Sequence, residues 1–166
     1  MKDMNREIKK CDVYRKYLFD EMSKKRKSHS KEIESLKHYV DSLNDSDAEK
    51  LCRKYSHYRK NGVYSYILRG PEKWKVKLVD ISNIYVRGIN SSVNHYLRRN
   101  GWQLENICND KSIRKIRELK LYGDIHHRSR SIIASRVGKS YHLIDGNHRA
   151  IKLGCNGYKK FELIYY

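Results

Sequence analysis

The sequence predicts a small mixed α/β (α+β) domain preceded by a helical extension. Three observations carry this expectation. Apolar residues recur at helical spacing through the first 60 positions, and β-rich segments alternate with helical ones after the only proline, Pro71. At 166 residues the chain has room for one ordinary domain and an extension. The division falls between residues 1–72 and 73–166.

In the extension, Ile8, Cys11, Leu18 and Met22 lie near one helical face. Ile33, Leu36, Val40 and Leu43 repeat at helical spacing until "NDSD" interrupts them. "SDAE" at Ser46–Glu49 has the form of a capping box, with Ala48, Leu51, Cys52 and Tyr55 as the next apolar stripe. Further on, Tyr55, Tyr58, Tyr64 and Tyr66 interleave with Arg and Lys, a pattern suited to stacking on bases. The alternation of Tyr64, Tyr66 and Leu68 equally suits a half-buried strand, and that reading is preferred.

Past Pro71, Trp74, Val76 and Leu78 alternate and "NIYV" is β-rich, predicting one or two strands. "SSVNHYLRRNGW" predicts a short helix ending at Gly101. "NDKSIRKIRELKLYG" predicts another, with Asp110 as N-cap and Gly123 as stop. "RSRSIIASRV", "GKS" and "YHLID" predict a hairpin, and "GNHRAIKLGCNGYKKFELIYY" a closing helix and strand.

Charge narrows the partners. The chain holds 37 Lys and Arg against 19 Asp and Glu, a formal +18. Residues 1–60 contain 17 basic and 11 acidic residues, which leaves 20 and 8 for the rest and makes the C-terminal part the more basic. Each cation that neutralises a phosphate releases counterions, so nucleic acid is the expected partner. The four cysteines form no Cys-x-x-Cys pair, which argues against structural zinc and for reduced thiols. No apolar run approaches the ~20 residues of a membrane span, and the charged N-terminus is no secretory signal. The expected location is the cytoplasm, with no membrane partner.

The segment "LIDGNHRAIKLG" concentrates the chemistry. A helix starting near Asn147 points unpaired N–H groups and the positive end of its dipole at the preceding turn. Gly146 admits a ligand close to the backbone, while His148 and Arg149 add donors suited to phosphate oxygens. Asp145 makes sense there as a magnesium ligand, a general base or an N-cap.

These residues also carry a resemblance. "LIDGNHRAIKLGCNGYKKFELIYY" resembles the closing strand-helix-strand of the ParB/sulfiredoxin superfamily. "VKLVDISNIYV" resembles that family's opening strand, and the likeness covers roughly residues 74–166. It implies a small mixed sheet with helices. It also implies that Gly146, His148, Arg149 and the amide of Asn147 face the phosphates of a nucleoside di- or triphosphate (ATP, ADP or CTP) with Mg2+. The turn differs from the Gly-Glu-Arg-Arg of partition proteins. Asn147 stands where sulfiredoxin has its nucleophilic cysteine, so that nucleophile is missing. The Asp-Gly-His-His-Arg of free serine kinases is the nearest form. Arg87 resembles a family arginine that follows the first strand.

Beside the turn, His126, His127, Arg128 and Arg130 could extend a phosphate cradle or contact nucleic acid. His142 reads as a strand residue facing a neighbour, while Glu105 and Asp124 offer only their charge as general bases. The leading expectation is a nucleotide-binding protein acting on or with nucleic acid, partition-like or regulatory. The alternative is a nucleotide-dependent phosphotransferase, phosphohydrolase or nuclease, with Asp145 and His148 as catalytic residues and Asp145 as the metal ligand.

Overall fold

The structure is a computed structural model that describes residues 5–23, 31–59, 62–87, 91–113 and 132–166. It is mixed α/β, as the sequence predicts. The chain divides into two compact units. One is formed by residues 7–74, the other by Asn5 and Arg6 with the described residues from Lys75 onward.

The first unit begins in strand β1 (Arg6–Lys9), followed by helices α1 (Lys10–Ser23), α2 (Lys31–Ser42), α3 (Asp45–Arg59) and α4 (Val63–Arg69). The buried face of α1 is Val13, Tyr14, Tyr17 and Leu18, with Cys11 and Met22 only partly buried. Of the expected stripe only Leu18 is fully buried, and its first residue, Ile8, lies in β1 rather than in the helix. In α2, Ile33, Leu36 and Val40 are buried as the spacing predicts. Helix α1 packs on both α2 and α3.

A different residue caps α3 from the one expected. Asn44 Oδ1 accepts the Asp47 N–H at 2.9 Å, while Asn44 Nδ2 donates to Asp47 Oδ2 at 2.7 Å. Asn44 thus caps the helix two positions before the Ser46 of "SDAE", and Asp47 returns a bond to the Asn44 side-chain amide, not to its backbone N–H as in a capping box. Arg15 secures the same connection from α1. Its Nε and Nη2 donate to the Leu43 carbonyl at 3.1 and 2.8 Å, and Nη2 lies 2.6 Å from Asp45 Oδ1.

The strand expected at Tyr64–Leu68 is helix α4. Val63, Tyr64 and Ile67 are buried, an i, i+1, i+4 set, while Leu68 is exposed. Tyr64 meets the Tyr14 ring at 6.0 Å and Tyr66 meets Trp74 edge-on at 5.9 Å, so these tyrosines are packed inside their unit.

The second unit contains strands β2 (Lys73–Asp80), β3 (Ile84–Tyr85), β4 (Ile132–Val137), β5 (Ser140–Leu143) and β6 (Lys160–Tyr165). Its helices are α5 (Ser91–Arg99), α6 (Leu104–Asn109) and α7 (Asn147–Cys155). Within this unit the strands run in the order β2-β6-β4-β5-β3. β2 is antiparallel to β6, β6 parallel to β4, β4 antiparallel to β5, and β5 parallel to β3. Register gathers Val79, Phe161, Leu163, Tyr165, Ile132, Ala134 and Leu143 onto one face, all of them buried.

The hairpin is as expected, turning through Gly138 at φ +62°. Alternation in β2 holds at Trp74 and Val76 but then passes to Val79, leaving Leu78 half-buried. Helix α5 ends before Gly101, which adopts φ +62°. Helix α6 was not anticipated. It buries Leu104, Ile107 and Cys108 and packs against α7. Most of the helix expected after Asp110 lies outside the described residues. Its proposed N-cap does accept the Ser112 N–H, at 2.9 Å.

Candidate phosphate-binding turn

Strands β5 and β3 run parallel, so both deliver their C-terminal ends to one edge of the sheet. Beyond Leu143, the N–H groups of Ile144 and Asp145 both donate to the Ile133 carbonyl, at 2.8 and 3.1 Å. One acceptor thus serves two successive donors, and the ladder ends there.

Gly146 follows at φ +84°, ψ +17° and is the N-cap of α7. Its carbonyl accepts the Ala150 N–H at 2.8 Å, the first bond of the helix. A Cβ at this position would stand 3.1 Å from Ile132 Cγ2 and 3.2 Å from Arg149 Nη2. Both the left-handed backbone and the tight neighbours call for glycine. A glycine cap also has no side chain to accept from the first-turn amides of Asn147, His148 and Arg149.

Arg149 is buried, with its guanidinium against Gly146 and Nη2 3.8 Å from Asp145 Oδ2. The side chains are 8% and 22% exposed, so the arginine is the more deeply buried partner. A buried cation needs such an acid nearby. Asp145 also lies beside the positive end of the α7 dipole, which favours its charge.

Asn147 has a role that the sequence did not reveal. Its Oδ1 accepts the Arg87 N–H at 2.8 Å, tying the exit of β3 to the first residue of α7. Arg87 itself is exposed, and His148 is half-buried. The turn therefore brings together Asp145, Gly146, Asn147, His148 and Arg149, with Arg87 added from 60 positions away. His126, His127, Arg128 and Arg130 lie outside the described residues, as does Asp124. Glu105 is half-buried in α6.

Among the described residues, no group of three or more His, Cys, Asp or Glu side chains is placed to hold a metal ion. A magnesium ion on Asp145 would therefore have to share its shell with phosphate oxygens and water, which is its common habit in nucleotide sites. Cys11, Cys52, Cys108 and Cys155 form no disulfide. Burial pushes the Cys52 thiol up, with the Glu49 charge adding to it, and burial is the leading cause for Cys11 too. Neither thiol has the lowered pKa of a nucleophile.

Elsewhere in this unit, Arg99, Asn100, Gly101, Asn106, Asn109 and Asp110 line an open groove of about 530 Å³. Hydrogen bonds from Ser112, Asn100 and Arg99, in that order of weight, hold the Asp110 carboxyl well below the usual carboxylate range. No helix among the described residues is long and apolar enough to cross a membrane. Compared with protein-family models, curated proteins and solved structures, the chain matches none.

Proposed function

We propose that Asp145–Arg149 is the phosphate-binding turn of a nucleotide-binding domain, ParB/sulfiredoxin-like by its sequence resemblance, that acts on or with nucleic acid. The observation that carries this reading is the fit of Gly146 to Arg149. A left-handed glycine caps a nine-residue helix while a buried guanidinium lies directly against it. First-turn amides, the helix dipole and an arginine then act on one small volume, a combination that favours an anion.

In this reading Asn147 and His148 contribute amides, and Arg149 contributes charge from within. Asp145 orders the arginine and stands ready to share Mg2+ with a bound phosphate. Di- and triphosphates such as ATP, ADP and CTP are the expected ligands. The formal charge of +18 supports a nucleic-acid partner, held through phosphates without reading sequence.

Two titrations test the reading. Calorimetry of ATP, ADP and CTP with Mg2+ should give binding to the wild type that weakens at least tenfold in Arg149→Lys. Binding to a random-sequence DNA duplex should fall steeply with salt, in proportion to the phosphates contacted. Absence of nucleotide binding would remove the first half of the proposal. Salt-independent DNA affinity would remove the second. Release of phosphate during the titration would instead favour a phosphotransferase or phosphohydrolase built on Asp145 and His148.

A further inference from the structure

Strands β4 and β5 run on together after their neighbours have stopped. β4 pairs with β6 only as far as Ala134, opposite Tyr165, but with β5 as far as Val137, opposite Ser140. On the other side, β3 accompanies β5 only at Tyr141 and His142. From Val137 to Ser140 the pair is thus a two-stranded ribbon with no third strand among the described residues. Gly138 and Lys139 close it, and Gly138 takes φ +62° in the first of the two turn positions, where a tight hairpin calls for glycine.

The tip is open and basic. Arg136, Val137, Gly138 and Lys139 are all exposed, and no Asp or Glu occurs from Ile132 to Ile144. Val137, at 62%, is the most exposed large apolar side chain among the described residues. Arg136 Nε donates to the Gly138 carbonyl at 2.9 Å, which holds the arginine across the turn. Lys10, Lys37 and Arg53 of the first unit are paired with Glu72, Asp41 and Glu49, whereas Arg136 and Lys139 have no acidic partner among the described residues. Lys75 of β2 joins them. It is the partner of Tyr165, itself the partner of Ala134, so Lys75 and Arg136 share a face, about 12 Å apart by strand spacing and rise. Burial and then the bond with Tyr141 push the Tyr165 phenol up, while the Arg136 and Lys75 charges oppose the rise, which sets both cations near its hydroxyl.

We propose that this ribbon is the DNA contact: its tip enters the major groove of a duplex end-on, with Lys75, Arg136 and Lys139 on backbone phosphates and Val137 against base edges. This rests on the nucleic-acid half of the reading above and names the element that holds the partner. The major groove admits a two-stranded ribbon. Cations without acids of their own displace the counterions of the phosphates they meet. The tip stands at the start of β5 and the 145–149 turn follows its end, roughly 17 Å of extended chain away. A duplex and a nucleotide therefore occupy different sites.

The test titrates the full chain into a labelled random-sequence DNA duplex at several salt concentrations, read by fluorescence anisotropy. Lys75→Gln/Arg136→Gln/Lys139→Gln should weaken binding about tenfold. It should also flatten the slope of log affinity against log salt by about 2.7, three phosphates at about 0.9 each. Arg98→Gln/Lys111→Gln/Lys159→Gln removes the same charge from other exposed positions of the unit. This control should stay within twofold of the wild type and keep its slope.

An unfolding curve for each variant separates a lost contact from a lost fold. Val137→Asp, a single change at the exposed tip, carries the same test if the triple variant does not fold, and should weaken binding about fivefold by placing an acid against the duplex. Wild-type affinity in the folded ribbon variants would overturn the ribbon, as would equal losses in the two triple variants or tighter binding of a single strand than of the duplex. Absence of duplex binding by the wild type would instead sink the nucleic-acid reading itself, and the ribbon with it.

Discussion

Gly146 and Arg149 occupy adjoining space: a methyl group at position 146 would stand 3.2 Å from Arg149 Nη2, with Ile132 Cγ2 as close at 3.1 Å. Backbone and side chain are matched at this point. The left-handed cap that starts α7 is possible only because nothing projects from it, and the guanidinium fills the space so left.

Gly146→Ala should therefore destabilise the protein by about 2 kcal/mol. The left-handed conformation alone costs an alanine about 1–2 kcal/mol, and the contacts with Ile132 and Arg149 add to it. Urea unfolding measures the loss. An unchanged midpoint would mean that the turn is looser than this geometry.

Asn147→Ala removes the acceptor of the Arg87 N–H. Arg87 is exposed, so water replaces the lost partner and the cost should stay near the ~1 kcal/mol of an ordinary hydrogen bond. The specific effect is local. Hydrogen exchange at the Arg87 amide should accelerate about fivefold, while the interior amides of α7 keep their protection. Uniform acceleration across α7 would show that Asn147 serves the helix instead of the link to β3.

Gly154→Ala sets two effects against each other. Alanine is the better helix former by about 1 kcal/mol, yet its Cβ would come within 2.5 Å of Cys108 Sγ and 3.0 Å of Ile81 Cδ1. Overpacking of about 1–3 kcal/mol should win and lower the midpoint of unfolding. Adding Cys108→Ala removes the closest atom, so the double variant should unfold later than the sum of the two single changes requires. Stabilisation by Gly154→Ala alone would show that α6 and α7 are packed less closely.

Asp110 gives a pH signature. Its folded pKa lies below the unfolded value of about 3.9, with Ser112, Asn100 and Arg99 bonded to the carboxylate. The stability it contributes is present in full above that unfolded value and is lost as pH falls toward the folded one. Between pH 7 and pH 3 the wild type should lose more stability than Asp110→Asn, with the two acid profiles converging in the acid limb. Parallel profiles would contradict the bonding seen at Asp110.

What was legible in the sequence depended on how local its cause is. Helix α2 and the β4–β5 hairpin follow from spacing and a glycine turn, and both could be read directly. The turn at 145–149 was legible because its chemistry sits in five consecutive residues. Helix α4 was misread because Tyr64, Tyr66 and Leu68 alternate by coincidence. The residues that decide its state are Val63, Tyr64 and Ile67, through what they pack against.

The cap of α3 was misplaced for a related reason. Both Asn44 and Ser46 suit the role, and Arg15, 30 positions before Asp45, engages the connection just ahead of the helix. Asn147's bond to Arg87 and the stack of Tyr85 on His142 were beyond reach. Each depends on β3 pairing parallel with β5, a long-range arrangement that neither segment encodes alone.

The most direct measurement of the central claim is an amide NMR titration of the wild-type chain with inorganic triphosphate. The largest shifts should fall on the N–H groups of Gly146, Asn147, His148 and Arg149, saturating together, and Arg149→Lys should weaken the binding at least tenfold. Shifts confined to other basic segments, with the α7 N-terminus unmoved at saturation, would contradict the claim that this turn is a phosphate site.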